Sequence, residues 1–268
     1  MQEYSIYVIL SVIYLISVVI FQVCSIRCGD KAILITKSIA SLLFVLIGCL
    51  TLSSFEWGGA SGIVDVIRIT SMFILIFIGL VHGCAGDILL ALRRFYPKKK
   101  TIFIALGMAA FGLGHIYYTY TAYRYLISFA DSWGVMNQIM IAAAPILLAS
   151  IVIAIYFKLA PYLHLSFGKL KPAVTAYSYL ISFLLLTTWI GCILAYVSGG
   201  DGRYLIPIVP VTLLVFSDAL LSTNYFDKEQ KSMSVKQNLA IHVTYYAAQY
   251  LIALGVFPGV MSSGIIQG

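Results

Sequence analysis

Six ionisable side chains interrupt long apolar stretches of this chain: Lys37, His82, Asp87, His115, Asp218 and His242. An ionisable group surrounded by hydrocarbon is costly, so each is a candidate for function. Two carboxylates allow a division of labour, because burial or a neighbouring like charge favours one protonated acid while a cation favours one anion. Such a pair suits acid/base hydrolysis, and it equally suits a proton-coupled carrier. Three histidines with a carboxylate also invite zinc. Helical rise argues against that, placing His242 about one turn inside the boundary and His82 and His115 roughly 16–20 Å from it. The structural alternative is an ion pair or hydrogen bond that holds helices together, with Lys37 as the partner of an aspartate. For His82 and His242, packing or hydrogen bonding is the expected role.

The elements that must position these residues are transmembrane helices. Of 268 residues, 61% are hydrophobic and only 10% charged, against about a quarter charged in a soluble domain. No stretch is polar enough for a soluble domain, so a single membrane domain spans 1–268. Eight stretches reach the roughly 20 apolar residues needed to cross hydrocarbon: 5–26, 33–53, 67–92, 102–124, 137–157, 172–197, 204–224 and 239–258. The first lacks the Lys or Arg start and the small-residue cleavage site of a secretory signal, and is expected to remain as a helix. The seventh is interrupted at its start by Pro207 and Pro210, which membrane helices accommodate when neighbours satisfy the freed backbone groups. The predicted fold is therefore an all-α integral membrane bundle of eight helices.

Thirteen of the 17 Lys and Arg residues fall in the first, third, fifth and seventh loops. Positive loops face the cytoplasm, so both termini are expected on the other side, in a multi-pass protein of a cell membrane. Trp57 and Trp133 would then lie near the outer interface. The formal charge of +7 is better matched to anionic lipid than to nucleic acid, for which no soluble module is available. Five cysteines, at 24, 28, 49, 84 and 192, have no metal or redox spacing and are expected to be free thiols.

In this topology Asp87 lies six residues before Arg93, Asp218 seven before Tyr225, and Lys37 six after Lys31. A rise of about 1.5 Å per residue puts all three roughly 9–11 Å from one boundary. The fourth helix carries His115 and Tyr118 deeper, and the eighth presents His242, Tyr245 and Gln249 on one face. A polar chamber opening toward the inner leaflet is expected. The tyrosines at 117, 118, 120, 123 and 125 approach the outer end of the fourth helix, where they are expected to act as interfacial anchors. There is also an internal echo: Gly86-Asp87-Ile88-Leu89-Leu90-Ala91 resembles Ser217-Asp218-Ala219-Leu220-Leu221-Ser222, Lys37 matches Lys171, and His115 matches Gln249. Similar offsets suggest two parallel four-helix repeats.

The chain resembles the YhhN-like family of membrane proteins, whose animal members are lysoplasmalogenases. The resemblance covers helices two to eight and rests on Thr36-Lys37, Gly79-Leu80, Gly86-Asp87-Ile88-Leu89-Leu90, Phe111-Gly112-Leu113-Gly114-His115-Ile116-Tyr117-Tyr118, Phe216-Ser217-Asp218 and Thr244-Tyr245-Tyr246-Ala247-Ala248-Gln249. Ser38 stands where the family usually has proline after the lysine, which implies a changed helix start with the lysine retained. The resemblance implies cleavage of the vinyl ether of a lysoplasmalogen, a lysophospholipid, to a fatty aldehyde and a glycerophospho head group, with no cofactor. Protonation of the alkenyl carbon leaves an oxocarbenium ion for water to capture, so Asp87 and Asp218 are expected to share the roles of acid and anionic stabiliser or base. Which is which stays open. His115, Tyr118, Tyr245, Tyr246 and Gln249 would bind or orient substrate and water, and Lys37 would hold one carboxylate ionised or reach the lipid phosphate. Rival readings are a metal-dependent lipid hydrolase and a transporter or proton-coupled carrier. The absence of a Gly-x-Ser-x-Gly elbow, a P-loop and a dinucleotide fingerprint argues against serine-hydrolase and nucleotide-driven chemistry.

Overall fold

The computed structural model describes residues 2–53, 63–130, 135–198, 202–228 and 233–255. Eight long helices make up nearly all of it: α1 (Gln2–Arg27), α2 (Asp30–Ser53), α3 (Ile63–Leu92), α4 (Lys100–Ala130), α5 (Val135–Leu159), α6 (Lys171–Val197), α7 (Ile208–Tyr225) and α8 (Val235–Ala253). Among the described residues, seven spans are long and apolar enough to cross a membrane. The helix that falls short is α8, because Lys236, Gln237, Asn238, His242 and Gln249 dilute its apolar residues. Much of the outer surface is bare aliphatic side chain, with Ile9 on α1 57% exposed and Leu147 on α5 63% exposed. A soluble protein would not leave such a surface open to water; lipid tails are its natural solvent.

Two ends differ from the sequence expectation. The seventh helix begins at Ile208, not 204, since Gly202–Leu205 form a short 3-10 turn and Pro207 caps the helix. Pro210 then sits in the first turn, where a missing N–H leaves no bond unmade. The eighth helix ends at Ala253, short of 258, with Gly255 at φ +73 breaking the helical path; residues 256–258 lie outside the described residues, as do Trp57 and Trp133.

Helix neighbours recur between the two halves. α1 packs on α2 as α5 packs on α6; α2 on α3 as α6 on α7; α3 on α4 as α7 on α8. The cross-contacts also correspond, α2 with α8 as α6 with α4, and α1 with α8 as α5 with α4. Small residues bring α3 and α4 close together: a Cβ on Gly114 would lie 2.9 Å from the Gly79 carbonyl oxygen, and one on Gly79 would collide with the Tyr118 ring. This close approach is how membrane helices gain van der Waals contact without a hydrophobic driving force.

The basic loops meet at one end of the bundle. Arg94 pairs with Asp30 at 3.1 Å, and the Arg93 guanidinium lies 3.9 Å from the Tyr225 ring centre. The α5–α6 connection is tied to the end of α7 by Ser166 N–H donating to the Phe226 carbonyl (2.7 Å) and Lys228 N–H donating to the His164 carbonyl (2.9 Å). Leu165 and Phe226 bury themselves beneath this brace.

Candidate functional site

Lys37 and Ser41 stand four residues apart on α2 and so share a face. Both point at Asp87 on α3, which is 2% exposed. Lys37 Nζ lies 2.9 Å from Oδ1, while Oδ2 accepts hydrogen bonds from Ser41 Oγ at 2.7 Å and from the Tyr245 hydroxyl at 2.8 Å. Tyr246 closes the cluster, its hydroxyl 3.2 Å from Ser41 Oγ and 3.4 Å from the Lys37 carbonyl oxygen. Helix α1 adds a lid: the Tyr14 hydroxyl donates to the Tyr246 carbonyl at 2.7 Å, and Phe21 packs edge-on against Tyr246. A buried carboxylate held by one ammonium and two hydroxyls is compensated for its lost hydration, and removing one partner of such a pair costs about 3–5 kcal/mol.

Asp218 on α7 has different surroundings. Tyr177 on α6 donates to its Oδ2 at 2.6 Å, and His115 Nε2 on α4 is 4.0 Å from the same oxygen. Among the described residues no Lys or Arg pairs with it. Its side chain lines a cavity of about 200 Å³ walled chiefly by Phe111, Ile153, Val174, Ile181 and Val215. His115 is 2% exposed, and its Nδ1 is buried with no hydrogen-bond partner among the described residues.

Phe111 stands between the two carboxylates. It lines the Asp218 cavity, meets Tyr245 edge-on at 6.0 Å, and lies so close to Gly86 that a Cβ there would come within 2.7 Å of the ring. Gly86 immediately precedes Asp87. One aromatic ring thus forms the partition between a polar cluster and an apolar cavity.

All eight sequence-predicted site residues fall on or beside these two environments. Lys37, Tyr245 and Tyr246 surround Asp87; His115 faces Asp218; the Tyr118 hydroxyl is 3.4 Å from Gln249 Oε1, deeper between α4 and α8. Two partners were not foreseen, Ser41 and Tyr177. The tyrosines of α4 divide: Tyr120 is 49% exposed and reaches Arg124, whereas Tyr118 and Tyr125 are packed inside. They are not all interfacial anchors.

His82 Nδ1 lies 2.9 Å from the Ile78 carbonyl oxygen, and His242 packs edge-on against Phe21. Among the described residues no three His, Cys, Asp or Glu side chains converge as a metal would require. The zinc reading therefore loses its geometric basis, since His82 lies against the Ile78 carbonyl, His115 beside Asp218 and His242 against Phe21.

Neither a curated protein nor a solved structure matches the chain. The YhhN family matches it over residues 34–256, which takes in α3 to α8 and all but the start of α2, including both aspartates and every residue bonded to them. This match, over most of the chain and with the apolar helices expected of a membrane protein, places the protein in the YhhN family.

Proposed function

We propose that the protein hydrolyses lysophospholipids within the membrane, cleaving the vinyl ether of lysoplasmalogen, with Asp218 as the acid and Asp87 as the buried anion that steadies the developing positive charge. The observation that carries this reading is the unlike placement of the two carboxylates. Asp218 lines a cavity whose apolar walls fit an alkenyl chain, whereas Asp87 is held by Lys37, Ser41 and Tyr245 one ring away.

In the proposed reaction the Asp218 carboxyl gives its proton to the alkenyl carbon distal to the ether oxygen. The carbon–carbon double bond supplies the electron pair, and the adjacent carbon becomes an oxocarbenium ion. Charge develops in a low-dielectric interior, where a nearby anion acts more strongly than it would in water. Water, oriented by His115 and Tyr177, adds to the cationic carbon and returns a proton to the Asp218 carboxylate. The resulting hemiacetal collapses to a fatty aldehyde and a glycerol hydroxyl, so one water is consumed and Asp218 is restored. Lys37 keeps Asp87 anionic; Tyr245 and Tyr246 fix its orientation; Gln249 and Tyr118 define the deep end of the chamber.

The test is aldehyde release from lysoplasmalogen by purified protein in detergent. A carrier needs sealed vesicles and a gradient, so turnover in detergent separates the two classes. Wild-type rates in both Asp87→Asn and Asp218→Asn would remove the carboxylates from the reaction.

A further inference from the structure

The Asp218 cavity has a neighbour at the basic end. A second cavity of about 570 Å³ is lined by four cations, Arg93, Arg94, Lys100 and Lys228, and one carboxylate, Asp227, together with Tyr225 and Phe226. That volume lies within the range of about 300–1,000 Å³ usual for small-molecule sites. Tyr225 and Phe226 line both cavities, so the two spaces share a wall. The Arg93 guanidinium lies over the Tyr225 ring at that wall, 3.9 Å from its centre. A pocket of about 30 Å³, large enough for a water, joins Lys37 and His242 to Arg93, Arg94 and Tyr225.

Four cations against one carboxylate leave this vestibule net positive. Arg94 pairs with Asp30, but among the described residues Arg93, Lys100 and Lys228 make no ion pair. Loop lysines alone would only reflect the sidedness of a membrane protein. Here they converge on a cavity whose far side is braced by the Ser166–Phe226 and Lys228–His164 backbone bonds. Lys37, the other candidate for an anion, is spent on Asp87.

We infer that this vestibule binds the head-group phosphate of the lipid, with Arg93, Lys100 and Lys228 supplying the charge and Tyr225 marking where the phosphate gives way to the glycerol. The inference rests on the lysophospholipid reading above and names its head-group subsite. Seven residues of α7, about 10 Å of rise, separate Asp218 from Tyr225. A glycerol backbone with its phosphoester, met by side chains from both ends, covers that gap. The ether bond then lies at Asp218 while the phosphate remains at the basic end.

Three probes in maltoside detergent test it: a saturated alkyl ether analogue of lysophosphatidylcholine, which has no vinyl bond to cleave, an alkyl glycerol of equal chain length without phosphate, and glycerol phosphate without a chain. Lys100 and Lys228 are both exposed, so Lys100→Gln combined with Lys228→Gln should leave the fold intact. The expected result is a Kd for the phosphorylated ether weakened about tenfold or more, with alkyl glycerol binding unchanged and restoration in Lys100→Arg with Lys228→Arg. Equal affinity of the glutamine variant and the wild type for the phosphorylated ether would overturn the inference. So would glycerol phosphate binding as tightly as the lipid, which would make the site one for a free phosphoester. A protein that discriminates among the probes but releases no aldehyde keeps this subsite and loses the hydrolase reading; one that releases aldehyde without discriminating does the reverse.

Discussion

Asp87 and Asp218 occupy comparable places, each on the third helix of a four-helix half and each bonded by a tyrosine hydroxyl, yet their neighbours have opposite character. Around Asp87 every oxygen is engaged, by Lys37, Ser41 and Tyr245. Around Asp218 the positions 134 residues away from two of those partners do not repeat the bonding: Phe111 stands where Tyr245 does, and Lys171, although again a lysine where Lys37 is, is placed elsewhere. Phe111 walls the cavity, while Lys171 lies near the Phe157 ring at the start of α6, with no bond to Asp218. A duplicated arrangement thus yields one carboxylate bound into the scaffold and one left facing space. Helix position sets the depth of an acid; two or three neighbouring side chains set whether it can react.

The sharpest way to break this comparison is Asp218→Asn. Loss of a general acid lowers turnover by about a hundred- to ten-thousand-fold, and aldehyde release should fall that far with little change in thermal stability. Lys37→Met should act first on the fold, stranding a buried carboxylate and lowering stability by about 3–5 kcal/mol, read from detergent unfolding. Adding Asp87→Leu to that variant should recover most of the loss, since apolar replacement of a whole buried pair is near neutral; no recovery would mean that the pair is not a closed unit. Tyr245→Phe and Tyr177→Phe sharpen the contrast further. Intramembrane hydrogen bonds contribute about 0.6–2 kcal/mol, so the first should lower stability by that much and the second should mainly slow turnover. Least affected should be Tyr120→Leu on the exposed face of α4, where stability should shift by no more than about 0.5 kcal/mol.

The helices and their order were legible in the sequence because hydrocarbon imposes length and apolarity on every span. The ends were less so: α7 starts at Ile208 because consecutive backbone constraints at Pro207 and Pro210 outweigh an apolar run, and α8 closes at Gly255, a stop that hydropathy does not register. Charged members of the site stood out against that background, and a rise-per-residue argument placed Lys37 and Asp87 at one level, where they pair. Ser41 and Tyr177 were not legible as partners, because neutral hydroxyls are common along membrane helices and carry no signal until a neighbouring helix supplies the carboxylate. The partition by Phe111 was hidden for the same reason, a phenylalanine in an apolar helix being the commonest of sights.

Helix α1 lies outside the family match, yet its Tyr14 and Phe21 cover the side of α8 that holds Tyr246. Without that covering, acyl chains would slide against the tyrosine layer that encloses the Lys37–Asp87 charges, and thermal fluctuation of the lipid would be felt by the pair. With it, the charges sit behind a fixed aromatic sheath, so their mutual orientation is decoupled from the fluidity and composition of the surrounding leaflet.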